Sequence, residues 1–356
     1  MSKKRIAVIR GDGIGGEVIE EGLKVLCAVG DRARLGFEFT EFPWGSEYYF
    51  EHGAMMPASA LETLAGFDAI YLGAVGHPEI HDHVTLNELL LPIRRRFDQY
   101  VCLRPNTLFP GMDSPLKNAA PWDVDITIVR ENTEGEYADV GGIQFKNQPN
   151  EMGVQTGVFT RRGCERVIRY AFELARKRGS QKPVASITKS NAQGYGMVVW
   201  DQAFERVAAD YPELLNRSLL VDAAAMEFVR RPEAFDVVVG SNLFGDILSD
   251  LAAIITGSIG LAASGNINPE GEYPSMFEPV HGSAPSIAGR GAANPLAAIL
   301  SAAMMLEHLG QVAEAEAIQK AVLLVIERRE MLPSDIGGTA NTHQVGDAVL
   351  SALESV

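Results

Sequence analysis

Short β-branched runs alternate with stretches of helical spacing along this chain, and that alternation is the strongest constraint on its fold. Arg5 to Ile9 is one such run; it ends in the glycine loop Gly11-Asp12-Gly13-Ile14-Gly15-Gly16, after which Val18, Ile19, Leu23, Leu26 and Cys27 recur at helical spacing. Phe37 to Phe42 alternates apolar and polar residues like a half-buried strand, a helix is expected from near Pro57, and Asp68 to Val75 reads as a third strand. Cys102–Phe109, Asp125–Val129, Val184–Thr188, Leu219–Val221 and Phe235–Val239 continue the series as strands, with helices expected over about 162–177 and 193–209. The last third reads as mostly helical, over 295–309, 313–328 and from about 342. Strands alternating with helices imply an α/β protein with a largely parallel sheet. At 356 residues the chain suits two lobes with a cleft between them. No Ser/Gly linker separates the lobes, so the chain is expected to cross between them more than once.

Bulk chemistry excludes several classes of function. A net charge of -15 repels phosphate backbones, and the basic run Arg94-Arg95-Arg96 is too short to reverse this, so nucleic acid is not an expected partner. No apolar stretch approaches the roughly 20 residues of a membrane helix, and Arg10-Gly11-Asp12 breaks the only apolar run near the start, so neither a membrane span nor a signal peptide is expected. Cys27, Cys102 and Cys164 are odd in number and widely spaced, which points away from a disulfide framework and towards a reducing, cytoplasmic setting.

The sharpest local feature is Asn242-Leu-Phe-Gly-Asp246-Ile-Leu-Ser-Asp250. On a helix starting near Gly245, Asp246 and Asp250 stand at i and i+4 on one face, where like charges repel by a few tenths of a kcal/mol unless a cation sits between them. A hard divalent ion such as Mg²⁺ or Mn²⁺ prefers such oxygen ligands. Asp222, at the expected end of another strand, is a third candidate. The plainer reading makes Asp246 a helix cap and Asp250 a solvated residue; the apolar Ile247, Leu248, Leu251 and Ala252 argue instead that the helix is buried and its carboxylates need partners.

Arg94, Arg104 and Arg130 each follow an apolar segment, and strand ends in open α/β sheets face the ligand crevice. Guanidinium forks bind carboxylates bidentately, so three of them suit a dicarboxylate, although ordinary ion pairs (Arg94 with Asp98, for example) are the alternative. Lys189 ends a strand; beside a cation a lysine is pushed towards its neutral form and accepts a proton, while Tyr137 can donate one to a carbanion. Two glycine-rich loops compete for a nucleotide. Gly11-x-Gly13-x-x-Gly16, with Glu38 or Glu41 behind it, meets the dinucleotide fingerprint. The stretch from Glu278 to Asn294, rich in Gly, Ala and Pro, lets backbone approach a ligand closely and opens a helix at Pro295. Local physics leaves both open.

Seven segments taken in order resemble the β-decarboxylating dehydrogenases, the family of isocitrate, isopropylmalate, homoisocitrate, D-malate and tartrate dehydrogenases. They are Gly11-Asp-Gly-Ile-Gly, Leu103-Arg-Pro, Val129-Arg-Glu-Asn-Thr-Glu-Gly-Glu-Tyr, Thr188-Lys-Ser-Asn, Val221-Asp-Ala, Asn242 to Asp250 and Glu278-Pro-Val-His-Gly-Ser-Ala-Pro. The resemblance implies an isopropylmalate-dehydrogenase-like two-domain fold, not a Rossmann fold. Residues 1–100 plus 255–356 would form a large nucleotide-binding domain, and 101–254 a small one carrying substrate, metal and dimer contacts. It further implies that Arg94, Arg104 and Arg130 bind substrate carboxylates, and that Asp246 and Asp250, with Asp222 of a second subunit, bind Mn²⁺ or Mg²⁺. Lys189, also from that subunit, would help deprotonate the hydroxyl, and Tyr137 would protonate the enol left by decarboxylation. The nucleotide, NAD, would sit on Ile14, Glu278, His281, Gly282, Ser283, Ala284, Ser286, Ile287 and Asn294, in a homodimer with shared active sites. Phe42-Pro-Trp-Gly, the Tyr48 to Pro57 stretch and the Glu131-to-Tyr137 motif look like the tartrate/D-malate branch. Isocitrate enzymes place a serine ahead of the first arginine, and the segment Asn87-Glu88-Leu89-Leu90-Leu91 found here speaks against isocitrate; Leu90-Leu91 keeps 3-isopropylmalate as the alternative substrate. Ser286 stands where NAD-linked members usually carry Asp, and the Lys-Tyr pair of NADP-linked relatives is absent from 286–287.

Overall fold

The computed structural model describes residues 3–356. In chain order its elements begin with β1 (Lys4–Gly11), α1 (Gly15–Ala33), β2 (Phe37–Glu41), α2 (Ser46–His52), α3 (Ala60–Leu64), β3 (Ala69–Ala74), α4 (Asp82–Thr85), α5 (Leu91–Arg96) and β4 (Val101–Thr107). The middle runs β5 (Asp125–Glu131), β6 (Gly135–Gln144), β7 (Met152–Val158), α6 (Arg161–Arg178), β8 (Val184–Thr188), α7 (Gly196–Ala208), β9 (Asn216–Leu220), α8 (Val221–Arg230), β10 (Val237–Gly240) and α9 (Asn242–Ile255). The chain closes with β11 (Ala263–Ile267), β12 (Ser275–Pro279), α10 (Leu296–His308), α11 (Val312–Arg328) and α12 (Thr342–Leu353). It divides into two compact units. One comprises Met1–Gln99, Arg104–Val124 and Ala253–Val356, the other Tyr100–Leu103 and Asp125–Ala252. The segment 104–124 thus packs with the first unit rather than with the middle of the chain.

In the first unit the strands run β2-β1-β3-β12-β11. The first four are parallel neighbours and β11 is antiparallel to β12. Successive side chains of a strand point to opposite faces, and both faces here are filled. Ile6, Val8, Tyr71 and Phe277 join a core with α1, α10, α11 and α12, while Ala7, Ile9, Ile70, Leu72 and Met276 join a second core with Trp44, Met55, Leu90 and Phe97. Burial on both sides explains why β1 and β3 read as continuous apolar runs, whereas β2 at the edge alternates. In the second unit β5, β10, β8 and β9 are parallel neighbours in that order, and β6 pairs with β7 as a separate antiparallel hairpin.

Several expectations shift. α9 begins at Asn242 rather than near Gly245, and Val221 opens a helix instead of closing a strand. The helix expected from Pro57 is the short α3, preceded by an unforeseen α2. The hairpin β6–β7 was not legible either, because its segments are rich in glycine and polar residues and lie exposed. β11 and β12 interrupt the mostly helical last third for a different reason: both are buried, but their Ser, Gly and Asn lower the β signal. Among the described residues no helix is long and apolar enough to cross a membrane.

Candidate active site

In the second unit Arg130, one residue before the end of β5, lies opposite Gly240, the last residue of β10, which places it beside the loop that opens α9. The residue as a whole is 2% exposed. Nε donates to the Asn242 carbonyl at 2.8 Å and to Asn242 Oδ1 at 3.1 Å, and Nη2 donates to Oδ1 at 2.7 Å. Nη1 reaches Asp246 Oδ1 at 2.5 Å. Gly245 makes that approach feasible, because a Cβ there would lie 2.6 Å from Arg130 Cβ. The Tyr137 hydroxyl donates to Asp246 Oδ2 at 3.0 Å, with the Arg130 guanidinium 5.3 Å from the Tyr137 ring centre.

Asp246 is therefore neither a helix cap nor a solvated residue; Arg130 and Tyr137 hold one oxygen each. Asp250 lies one turn further along α9 and is exposed. The expectation that α9 is buried holds for one face only. Phe244, Leu248 and Ala252 face the core, while Ile247 and Ile254 are 56% and 49% exposed.

Neighbouring carboxylates stiffen this corner. Glu131, fully buried, accepts from the Thr133 and Glu134 backbone N–H groups at 2.8 and 3.0 Å, and burial pushes its carboxyl up to about 7. Glu134 accepts from Thr160 N and Oγ1 at 2.9 and 2.8 Å, supporting the residue that caps α6.

Lys189 and Asp222 meet by strand register. Thr188 pairs with Leu220 across β8 and β9, so the residues just beyond the strand ends are neighbours, with Nζ 2.5 Å from Asp222 Oδ1. The pair lies in the open, side chains 29% and 57% exposed, and the lysine holds the Asp222 carboxyl below the usual range. Asp222 occupies the first turn of α8, not a strand end. Among the described residues no group of three or more His, Cys, Asp or Glu side chains is placed to hold a metal ion. The chain thus offers two hard oxygen donors one turn apart on α9 and a third on another helix. These donors suit Mg²⁺ or Mn²⁺ in kind, but one chain does not gather all three.

In the first unit Arg94, 6% exposed, pairs with Glu278 rather than with Asp98, Nη2 to Oε1 at 2.9 Å. Asn266 Nδ2 donates to the same oxygen at 2.8 Å. Arg94 Nε is buried without a protein partner, a state that costs about 1–3 kcal/mol unless a ligand oxygen meets it. Arg104, also 6% exposed, lies on β4.

The two glycine loops turn out to be packed on each other. A Cβ on Gly13 would lie 2.0 Å from the Ser283 carbonyl, which instead accepts the Ile14 N–H at 2.9 Å. Gly11, at φ 68°, leaves the same kind of room for the Ala74 carbonyl. Asp12 accepts from Ser46 N, Ser46 Oγ and Gly76 N at 2.7–2.8 Å. Gly11 and Gly13 thus serve chain packing where a pyrophosphate would need their faces, while Gly16 meets nothing within 4 Å. Glu41, one candidate ribose partner, is held by Arg10 at 2.8 and 2.9 Å. The second loop is the supported one. Glu17 accepts from Gly289 N and Gly291 N at 2.5 and 3.0 Å, and Asn294 ties to Asp335 at 3.0 Å. Ile14 and Ile287 pack in one small apolar cluster with Val18 and Ala293. Gly282 and Ser286 stand exposed, Ser283 is buried, and Ala284 has φ 39°. Burial lowers the His281 imidazole pKa, and its Nε2 is buried without a partner, so the ring can meet a ligand in its neutral form. Asp12 and Asn242 lay inside quoted motifs without being given a role, and Glu17 and Asp335 were not singled out, although Glu17 carried a signal as an acid in the first turn of α1.

Comparison with known proteins agrees along the whole chain. The model of a family described as isocitrate/isopropylmalate dehydrogenase matches residues 5–349. A tartrate dehydrogenase/decarboxylase of Pseudomonas putida is 50% identical over 357 residues, covering 98% of this chain and 97% of that protein. A decarboxylating D-malate dehydrogenase of Escherichia coli (strain K12) is 49% identical over 360 residues, covering 99% of each. Among solved structures, isocitrate dehydrogenase from Methylococcus capsulatus superposes with a TM-score of 0.89 at 33% identity, covering 98% of this chain and 99% of that one.

Proposed function

The chain belongs to the isocitrate/isopropylmalate dehydrogenase family, and from that premise we propose that it oxidises a 2-hydroxy dicarboxylic acid of the tartrate or D-malate type with NAD and Mn²⁺ or Mg²⁺, and can release carbon dioxide from the product. The observation that carries the proposal is the join of Arg130 and Tyr137 on the two oxygens of Asp246. It sets a buried cation, a proton donor and a hard metal ligand within one corner of the second unit.

Roles follow from the side chains. Arg94, Arg104 and Arg130 hold carboxylates of the substrate through charge-assisted hydrogen bonds. Asp246 and Asp250 hold the cation with Asp222 of a second copy. When bound, the cation polarises the substrate's hydroxyl and carboxylate oxygens, and the dinucleotide takes the hydride. Lys189 receives the hydroxyl proton through a relay, and Tyr137 keeps its proton at the hydroxyl oxygen until carbon dioxide has left, then delivers it to carbon. Ile14, Glu278, His281, Gly282, Ser283, Ala284, Ser286, Ile287 and Asn294 hold the nucleotide. NAD is favoured because residues 286–287 carry no cation for a 2′-phosphate.

A homodimer is part of the proposal. Met226 and Val229 on α8, Ile247 and Ile254 on α9, and Ile143 and Val154 on the hairpin are about half exposed, at 49–59%. Exposed apolar patches mark association surfaces, and a second copy would deliver the Lys189–Asp222 pair. A cytoplasmic location rests on the number and spacing of the cysteines. 3-Isopropylmalate stays the alternative substrate, with Leu90 and Leu91 as the residues that would line its side-chain pocket.

NADH absorbance with D-malate, tartrate and 3-isopropylmalate, each with and without EDTA, tests the proposal. Turnover of D-malate or tartrate that chelation abolishes and Mn²⁺ restores is expected. Turnover that survives chelation, or none with any of the three, overturns it.

A further inference from the structure

Glu136 stands beside the proton donor Tyr137, and both side chains reach the same helix. Glu136 Oε1 accepts from Ser241 Oγ at 2.8 Å and Oε2 from the Leu243 backbone N–H at 3.1 Å. Leu243 lies in the first turn of α9, whose N–H groups lack partners within the helix. That turn contains no acidic residue of its own. Glu136 therefore supplies, from another element, both the acceptor and the negative charge that a helix N-terminus favours. Three residues further along α9, Asp246 receives the Tyr137 hydroxyl.

Neighbouring residues of a regular strand point to opposite faces. Here the register of β6 is irregular between Gly135 and Val140, with Gly135 at φ 70° and Asp139 at φ 57°. That irregularity lets both 136 and 137 meet α9. The other two acids of the segment are committed elsewhere, Glu131 to the turn at Thr133 and Glu134 to the cap of α6.

We infer that Glu136 is a positioning residue that fixes the start of α9 and thereby sets the Tyr137 hydroxyl against Asp246. The inference rests on the reading of Tyr137 as proton donor. A helix start free to shift would carry Asp246 with it, and a displacement near 1 Å can cost about a hundredfold in rate.

The test compares Glu136→Ala, Glu136→Gln, Glu134→Ala, Tyr137→Phe and the Glu136→Ala/Tyr137→Phe double variant. Turnover is measured at saturating Mn²⁺, at a temperature where circular dichroism shows each variant folded. Glu136→Ala is expected to lower kcat at least about tenfold with KM within about threefold, and the Gln variant, which keeps an acceptor for Leu243, to stay within about threefold of wild type. In the Tyr137→Phe background the Ala change should add less than about threefold, since residues acting as a unit are not additive. Mn²⁺ binding to the protein alone, followed by electron paramagnetic resonance, should weaken in Glu136→Ala. Glu134→Ala is expected to melt lower yet keep its kcat. Full kcat in Glu136→Ala, an undiminished loss in the double variant, or an equal loss in Glu134→Ala overturns the inference alone. A fully active Tyr137→Phe enzyme overturns the functional reading and this inference with it.

Discussion

The proposed reaction draws on two ion pairs of the second unit that could hardly be built more differently. Arg130–Asp246 has a guanidinium only 3% exposed and a carboxylate 32% exposed, wired into the start of α9 by Asn242 and Tyr137. Lys189–Asp222 has side chains 29% and 57% exposed, with no comparable cage. An exposed pair contributes about 0–1 kcal/mol, so stability gives no reason for its place at the ends of β8 and β9. A buried charge whose partner is removed costs about 3–5 kcal/mol. The buried pair is thus part of the fold, and the open pair is available for something outside its own chain.

Removing the buried member should show the largest effect. Arg130→Ala is expected to destabilise the protein by about 2–4 kcal/mol, discounted for the part-exposed Asp246, and to abolish turnover. Urea unfolding beside the NADH assay measures both, and a variant as stable as wild type would break the comparison. Next comes the open pair. Lys189→Ala should lose at least about a hundredfold in kcat while its melting temperature stays within about 2 °C of wild type. Mixed with Tyr137→Phe by unfolding and refolding together, it should recover about a quarter of wild-type activity, since half the dimers are mixed and one site in each is intact. Mixing Lys189→Ala with Asp222→Asn should recover nothing, because both residues would serve the same site from one chain. No recovery in the first mixture, or recovery in the second, would remove the shared-site proposal.

A subtler difference concerns pH. Burial raises the Glu131 carboxyl, next to Arg130, from 4.5 to about 7. Between those values the folded chain keeps a proton that the unfolded chain has released, so stability from this group falls as pH rises through the window and is level above it. At about 1.4 kcal/mol per pH unit the total is on the order of 3 kcal/mol. Relative to wild type, Glu131→Gln should therefore gain stability between pH 5 and pH 8 in urea unfolding. An unchanged difference at the two pH values would mean that Glu131 is ionised throughout. Asp222 shifts the other way under Lys189 and, lying in solvent, should leave no measurable trace in the same experiment.

Legibility in the sequence followed the range of the forces involved. β1, β3, β5, β8 and β10 were readable because burial on both faces demands unbroken apolar runs. The hairpin β6–β7 was not, since its exposed apolar residues alternate with glycines and no core imposes a pattern. Arg130, Tyr137, Asp246, Lys189 and Asp222 were all picked out as candidates, but local physics left the purpose of the first glycine loop open. Its spacing satisfies the nucleotide fingerprint, and only the Ser283 carbonyl, far along the chain, shows what Gly13 makes room for.

The amino-acid order alone determined the alternation of strands and helices, the absence of a long apolar span and the motifs that carry the family resemblance, because these depend on neighbours within a few residues. Which acid meets which base was decided by tertiary structure: Arg130 found Asp246 across 116 residues, and Arg94 found Glu278 across 184. Charges attract without regard to sequence, so their partners are chosen by whichever strand ends and helix starts the packed cores bring within reach.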